Sequence, residues 1–154
     1  MSETREKQKT ELFARGEGYM ASMKALQDGF ALVQEKGEGE QKCSIWAKNT
    51  PKDGTITGTQ YFAEGITKEM WEWYIDKDNM PGLIAKLDTK NLSAARTADF
   101  EGCPTFYMGI KMPIPLVSDR QVYFIRFDQR PSDDEYRMAL TSEGIESFIA
   151  SSEN

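Results

Sequence analysis

Apolar and polar residues change their period several times along the chain, and each change marks an element. Over residues 2–27, Leu12, Tyr19, Met23 and Leu26 recur on one side at helical spacing, with Phe13 and Met20 beside them, which predicts an amphipathic helix. Gly16 and Gly18 weaken that helix by about 1 kcal/mol each relative to alanine. Strands are predicted over residues 30–36, 41–48 and 55–63, separated by Gly37-Glu38-Gly39-Glu40 and Pro51-Lys52-Asp53-Gly54, both turn-forming. In the third of these, Ile56, Gly58, Gln60 and Phe62 share a face; a glycine there marks a bulge or leaves room for a ligand.

A second helix opens with Thr67 as N-cap and carries Met70, Trp71, Trp73, Tyr74 and Ile75. Asp78-Asn79-Met80-Pro81-Gly82 stops it, and residues 83–87 add a further helical turn. Period-two or β-branched stretches then predict strands over residues 92–100, 105–112, 121–127 and 135–141. In the tail, Ile145, Phe148 and Ile149 have helical spacing over about two turns. Helix, three strands, a helix pair and at least four strands make an α+β chain with a mostly antiparallel sheet.

At 154 residues, this order fits one domain spanning residues 1–154. The formal net charge of −6 removes the usual driving force for nucleic acid, so none is expected as a partner. Histidine is absent, which excludes Ser-His-Asp and Cys-His catalysis and the commonest metal ligand. Two cysteines, Cys43 and Cys103, make neither a disulfide framework nor a zinc site, so no metal or cofactor is expected. No apolar run reaches membrane-spanning length and the N-terminus is charged, which makes the cytoplasm the default compartment.

The stretch between the 105–112 and 121–127 strands departs from an ordinary turn. Pro113 and Pro115 cannot donate ladder hydrogen bonds, so the chain leaves the sheet there, yet the loop carries Ile114, Leu116 and Val117. Pro113-x-Pro115-x-x-Ser118-x-Arg120, running into an aromatic strand, resembles the signature of START lipid-transfer domains. The likeness covers residues 27–141. It implies a helix-grip fold: a curved, mostly antiparallel sheet, with an N-terminal helix and a helix pair after the third strand, around a lipid tunnel. Residues 112–119 would then be the loop that gates the tunnel.

The chain departs from that pattern in three ways. Gln121 and Val122 stand where an acidic and an aromatic residue are usual. Residues 104–112 hold no carboxylate to face Arg126, which occupies the place of a tunnel arginine. The family's further strands and closing C-terminal helix do not follow residue 141, so either the chain is a reduced form of the fold or a partner chain, as in a homodimer or swapped assembly, supplies the closure.

The resemblance implies binding of a lipid or sterol, with transfer between membranes and no catalysis. On that reading the candidate pocket residues are Phe106, Met108, Ile110, Val122, Phe124, Arg126 and Met138, with Trp73 beneath; strand alternation puts Arg126 with Val122 and Phe124. Ile114, Leu116 and Val117 are the candidate gate or membrane contact. Two alternatives stand beside this: an interaction module with a filled core, and a small enzyme on the same scaffold, for which no pair of acids has suitable spacing.

Overall fold

The computed structural model describes residues 1–52 and 54–152, with side chains described to residue 149. Its elements are α1 (Glu3–Ala25), β1 (Ala31–Lys36), β2 (Cys43–Thr50), β3 (Gly54–Gln60), α2 (Lys68–Ile75), α3 (Met80–Leu87), β4 (Leu92–Phe100), β5 (Cys103–Ile110), β6 (Arg120–Ser132), β7 (Glu135–Thr141) and α4 (Glu146–Ser152). A single 3-10 turn, Gly39–Gln41, follows β1. The chain is α+β, and its strands form two antiparallel sheets of three and four strands, ordered β1-β2-β3 and β4-β5-β6-β7. Two sheets replace the one expected, because alternation along a strand locates its faces but not its partners beyond the next hairpin.

Two units divide the chain: Thr10–Ile66, and Met1–Lys9 with Thr67–Asn154. In the smaller unit β1, whose residues are all exposed, is an edge strand with a bulge at Val33. A bulge on an edge discourages pairing with another chain. Trp46, Gly58, Lys48 and Ile56 lie on one face of this sheet by their cross-strand pairing. At Gly58 a side chain of α1 lies directly on the strand: a Cβ there would lie 2.0 Å from the Met23 sulfur. The room that this glycine leaves is therefore taken by the protein's own methionine. Lys48 Nζ sits 4.7 Å from the Phe30 ring centre and 5.6 Å from that of Tyr19, and donates to the Asp28 carbonyl. Such cation–π contacts let a half-buried lysine close the end of an apolar layer. Met20 and Leu26, on or beside the apolar stripe by their spacing, are over half exposed, Leu26 lying past the helix at φ 53°.

In the larger unit, the α2 start follows the sequence: Thr67 Oγ1 accepts from Met70 N at 3.2 Å. Pro81 belongs to the first turn of α3, where its missing N–H costs nothing, so the 78–82 stretch starts a helix as well as ending one. β4, β5, β6 and β7 meet in consecutive antiparallel pairs, and the β6–β7 hairpin turns at Asp133-Asp134. Both faces of β6 are buried: Phe124 and Arg126 on one, Ile125 and Phe127 on the other. Arg5 pairs with Glu101 at 2.9 Å and lies over the Phe100 ring.

Candidate functional site

The face of the larger sheet that carries most of the expected pocket residues holds a packed cluster. Phe106 pairs with Phe124 and Met108 with Val122 across β5 and β6. The two phenyl rings stack with centres 5.7 Å apart, and Met80 from α3 completes a buried cluster edged by Ile84, Met108 and Val122. Four of the eight expected pocket residues thus meet in one place, as a core held by dispersion and burial. Ile110 lies on the same face, partly buried.

Trp73 and Met138 do not join them. Trp73 is 47 % exposed and packs edge-on against Tyr74. The phase of α2 explains this: Trp71 meets Tyr136 of β7, and a residue two positions further on, about 200° around the helix, points away. Met138, 46 % exposed, sits on β7, an edge strand, opposite Asp128.

Arg126 is on the expected face and only 3 % exposed. Its Nε donates to Asp128 Oδ1 at 2.8 Å, and Nη2 donates to the Tyr136 hydroxyl at 2.6 Å and to the carbonyl of Ile75. Ile75 ends α2, so the guanidinium satisfies a carbonyl that the helix leaves unpaired and lies at the negative end of its dipole. Tyr136 in turn donates to Asp128 and meets Trp71 edge-on at 6.2 Å. Burial, then the hydrogen bond to the Asp128 carboxylate, pushes the Tyr136 phenol up to about 12. Beyond it, Arg130 pairs with Glu72 and covers the Trp71 ring, and its hydrogen bond holds the Glu72 carboxyl below the usual range.

These groups pin α2 to β6 and β7. The guanidinium's Nε and Nη2 are engaged by the protein itself. The START resemblance would set an acid on the preceding strand, where none stands; the acid is two residues further along the same strand, on the same face. Asp128 and Tyr136 are the residues that this reasoning misses, although period two from Arg126 leads to the first.

The loop between β5 and β6 matches its sequence. Val117 N donates to the Ile114 carbonyl at 3.3 Å, with Pro115 and Leu116 central and Leu116 at φ 70°, which fits a type II turn. Such a turn prefers glycine at its third position; leucine there costs about 1 kcal/mol. Leu116 is nonetheless fully exposed at 106 %, and Ile114 is exposed at 56 % and Val117 at 38 %. Asp119 closes the loop base by accepting from Met112 N at 3.0 Å. Beside that base lies a polar depression of about 350 Å³, lined in part by Lys90, Ser93, Tyr107, Lys111, Asp119 and Arg120.

The smaller unit holds a cavity of about 580 Å³ between α1 and its sheet, lined mainly by Gly16, Tyr19, Met20, Met23, Trp46 and Ile56. No group of His, Cys, Asp and Glu residues suited to a metal occurs among the described residues. No described helix is long and apolar enough to cross a membrane. Comparison with family models, curated proteins and solved structures gave no match to the chain.

Proposed function

We propose that the protein binds lipids and works at membrane surfaces, as a non-catalytic carrier of the START-like, helix-grip kind. The observation that carries this is the β5–β6 loop. It displays Leu116 fully to solvent in a backbone conformation that leucine disfavours, stiffened by two prolines and flanked by two further apolar side chains. Burying each of Ile114, Leu116 and Val117 in a bilayer interface would contribute about 1.5–3 kcal/mol. The space for a lipid tail or sterol is the apolar cavity of the smaller unit, and not the Phe106–Phe124 face, which is packed.

Extraction of the purified protein followed by lipid mass spectrometry tests the ligand. Gly16→Leu is the control, since a Cβ at Gly16 meets no atom within 4 Å and the longer side chain would occupy the cavity that Gly16 lines. Retention of a lipid by the wild type and its loss in Gly16→Leu support the proposal; no retained lipid counts against it. Changing Ile114, Leu116 and Val117 together to serine should sharply weaken liposome binding and transfer.

The second reading, an interaction module with a filled core, is favoured by the packed Phe106–Phe124–Met80 cluster. It predicts no extractable ligand and a homodimer or other partner, which light scattering across the micromolar range would reveal. A monomer with bound lipid would dispose of it.

A further inference from the structure

Three strand ends meet at the end of the larger sheet from which the apolar turn projects. Leu92 pairs with Ile110 and Ile110 with Arg120, so the start of β4, the end of β5 and the start of β6 lie side by side. Each brings a cation: Lys90 just before β4, Lys111 just after β5, and Arg120 as the first residue of β6. All three are exposed and line the polar depression at the loop base, with Asp119 the one carboxylate among its lining residues. Among the described residues none of the three cations is in an ion pair.

Nearby acids are otherwise engaged. Asp119 accepts from the Met112 amide, and Asp88 accepts from the Asn91 side chain and from the amides of Lys90 and Asn91. Those hydrogen bonds, the Asn91 side chain first, hold the Asp88 carboxyl below its usual range. The Ser93 and Tyr107 hydroxyls stand over Gly109: a Cβ there would lie 2.6 Å from Ser93 Oγ and 2.8 Å from the Tyr107 oxygen. The depression therefore offers two hydroxyl donors as well as three cations, in a chain whose net charge is −6. An excess of cations located here, on so acidic a chain, is selective in position.

We propose that this sheet end is a binding site for the phosphate-bearing head groups of an anionic bilayer, seated there when the Ile114–Val117 turn inserts among the acyl chains. The proposal rests on the lipid-surface reading above and adds to it the class of membrane recognised. The geometry suits such a surface, because the prolines fix the turn, Leu116 forms its tip, and the cations stand at its base, at the depth of the head groups. Arginine grips phosphate oxygens bidentately and lysine supplies a mobile point charge on an apolar stem. A polybasic cluster beside an apolar insert is the two-signal arrangement that reversible anchoring requires.

Vesicle cosedimentation of the full chain tests this, with phosphatidylcholine alone and with phosphatidylcholine containing phosphatidylserine. The wild type should partition at least tenfold more strongly onto the anionic vesicles, an advantage that falls as salt is raised. K90Q/K111Q/R120Q should lose that advantage, by roughly fivefold per cation, and keep its binding to neutral vesicles. Leu116→Gly should bind both vesicle types more weakly while its urea midpoint stays level or rises, because glycine suits the turn.

Equal partition of the wild type onto both vesicles, or a retained anionic advantage in the triple variant, would overturn the proposal. So would inorganic phosphate that binds the wild type where vesicles do not, which would assign the depression to a free anion. Lipid transfer between neutral vesicles, if it persists without any anionic preference, would sink this inference alone. Absence of both transfer and extractable lipid would instead sink the lipid-binding function.

Discussion

Replacing Arg126 by methionine keeps most of the side chain's bulk and removes its charge and donors. Three partners lose something. Asp128 loses its cation, Tyr136 keeps its bond to Asp128 but loses a donor, and the Ile75 carbonyl at the end of α2 loses its cap. Breaking a buried ion pair from one side costs about 3–5 kcal/mol. The Asp128 side chain is 36 % exposed, so water takes over part of its solvation. The orphaned carbonyl adds about 1 kcal/mol or more. Together these give a loss of about 3 kcal/mol, with methionine's fit beside Met80 offsetting little of it. With a urea slope of about 2 kcal/mol per molar, the midpoint should fall by about 1.5 M.

Trp71, against Tyr136 and Arg130, is the local fluorescence reporter. Asp128→Asn should cost less than Arg126→Met, and the double variant should fall short of the sum by at least about 1 kcal/mol, since the two groups share one interaction. A loss below about 1 kcal/mol for Arg126→Met, or strict additivity with Asp128→Asn, would refute the assignment of Arg126 as the pin of α2. It would return the residue to the pool of ligand-facing groups.

Tyr136 gives a pH signature. Its phenol is raised from 10 to about 12 in the folded chain, so the neutral form is favoured by folding, and that stability is complete below pH 10 and lost as pH rises from 10 to 12. Solvent screening at this half-buried site leaves an effect on the order of 1 kcal/mol, and phenolate absorbance should show one tyrosine titrating late, a feature that Tyr136→Phe removes. Gly18→Ala should stabilise α1 by about 1 kcal/mol, because a Cβ there meets no atom within 4 Å, and thermal melting would register it as a higher midpoint. Cys103 is 1 % exposed and burial pushes its thiol up, so a thiol reagent should label Cys43 first, with Cys103 reacting only on unfolding; mass spectrometry of the labelled peptides would read the order.

Local chemistry makes much of the chain legible. The Thr67 cap, the β4 bounds of Leu92–Phe100 and the β7 bounds of Glu135–Thr141 all follow from side chains acting within a few residues of their own position. The projecting loop is legible for the same reason: proline denies the ladder a donor wherever it stands, so the chain leaves the sheet at Pro113 and Pro115. Alternation likewise places Phe124 and Arg126 on one face of β6, and Phe106 and Met108 on one face of β5, before any partner is known.

What alternation cannot say is what stands opposite such a face. Met80 filling the Phe106–Phe124 layer, Met23 lying on Gly58 and the carbonyl of Ile75 meeting Arg126 are contacts between residues distant in sequence, 51 positions apart in the last case. They are reached only once helices lie on sheets. The split into two sheets belongs to the same class, since strand pairing beyond a hairpin depends on where helices and turns leave each edge. Sequence periodicity is a property of one element seen from its own axis. Whether the space beside that element is empty, filled or charged is set by side chains that arrive from elsewhere in the chain, and packing alone decides which of them fit.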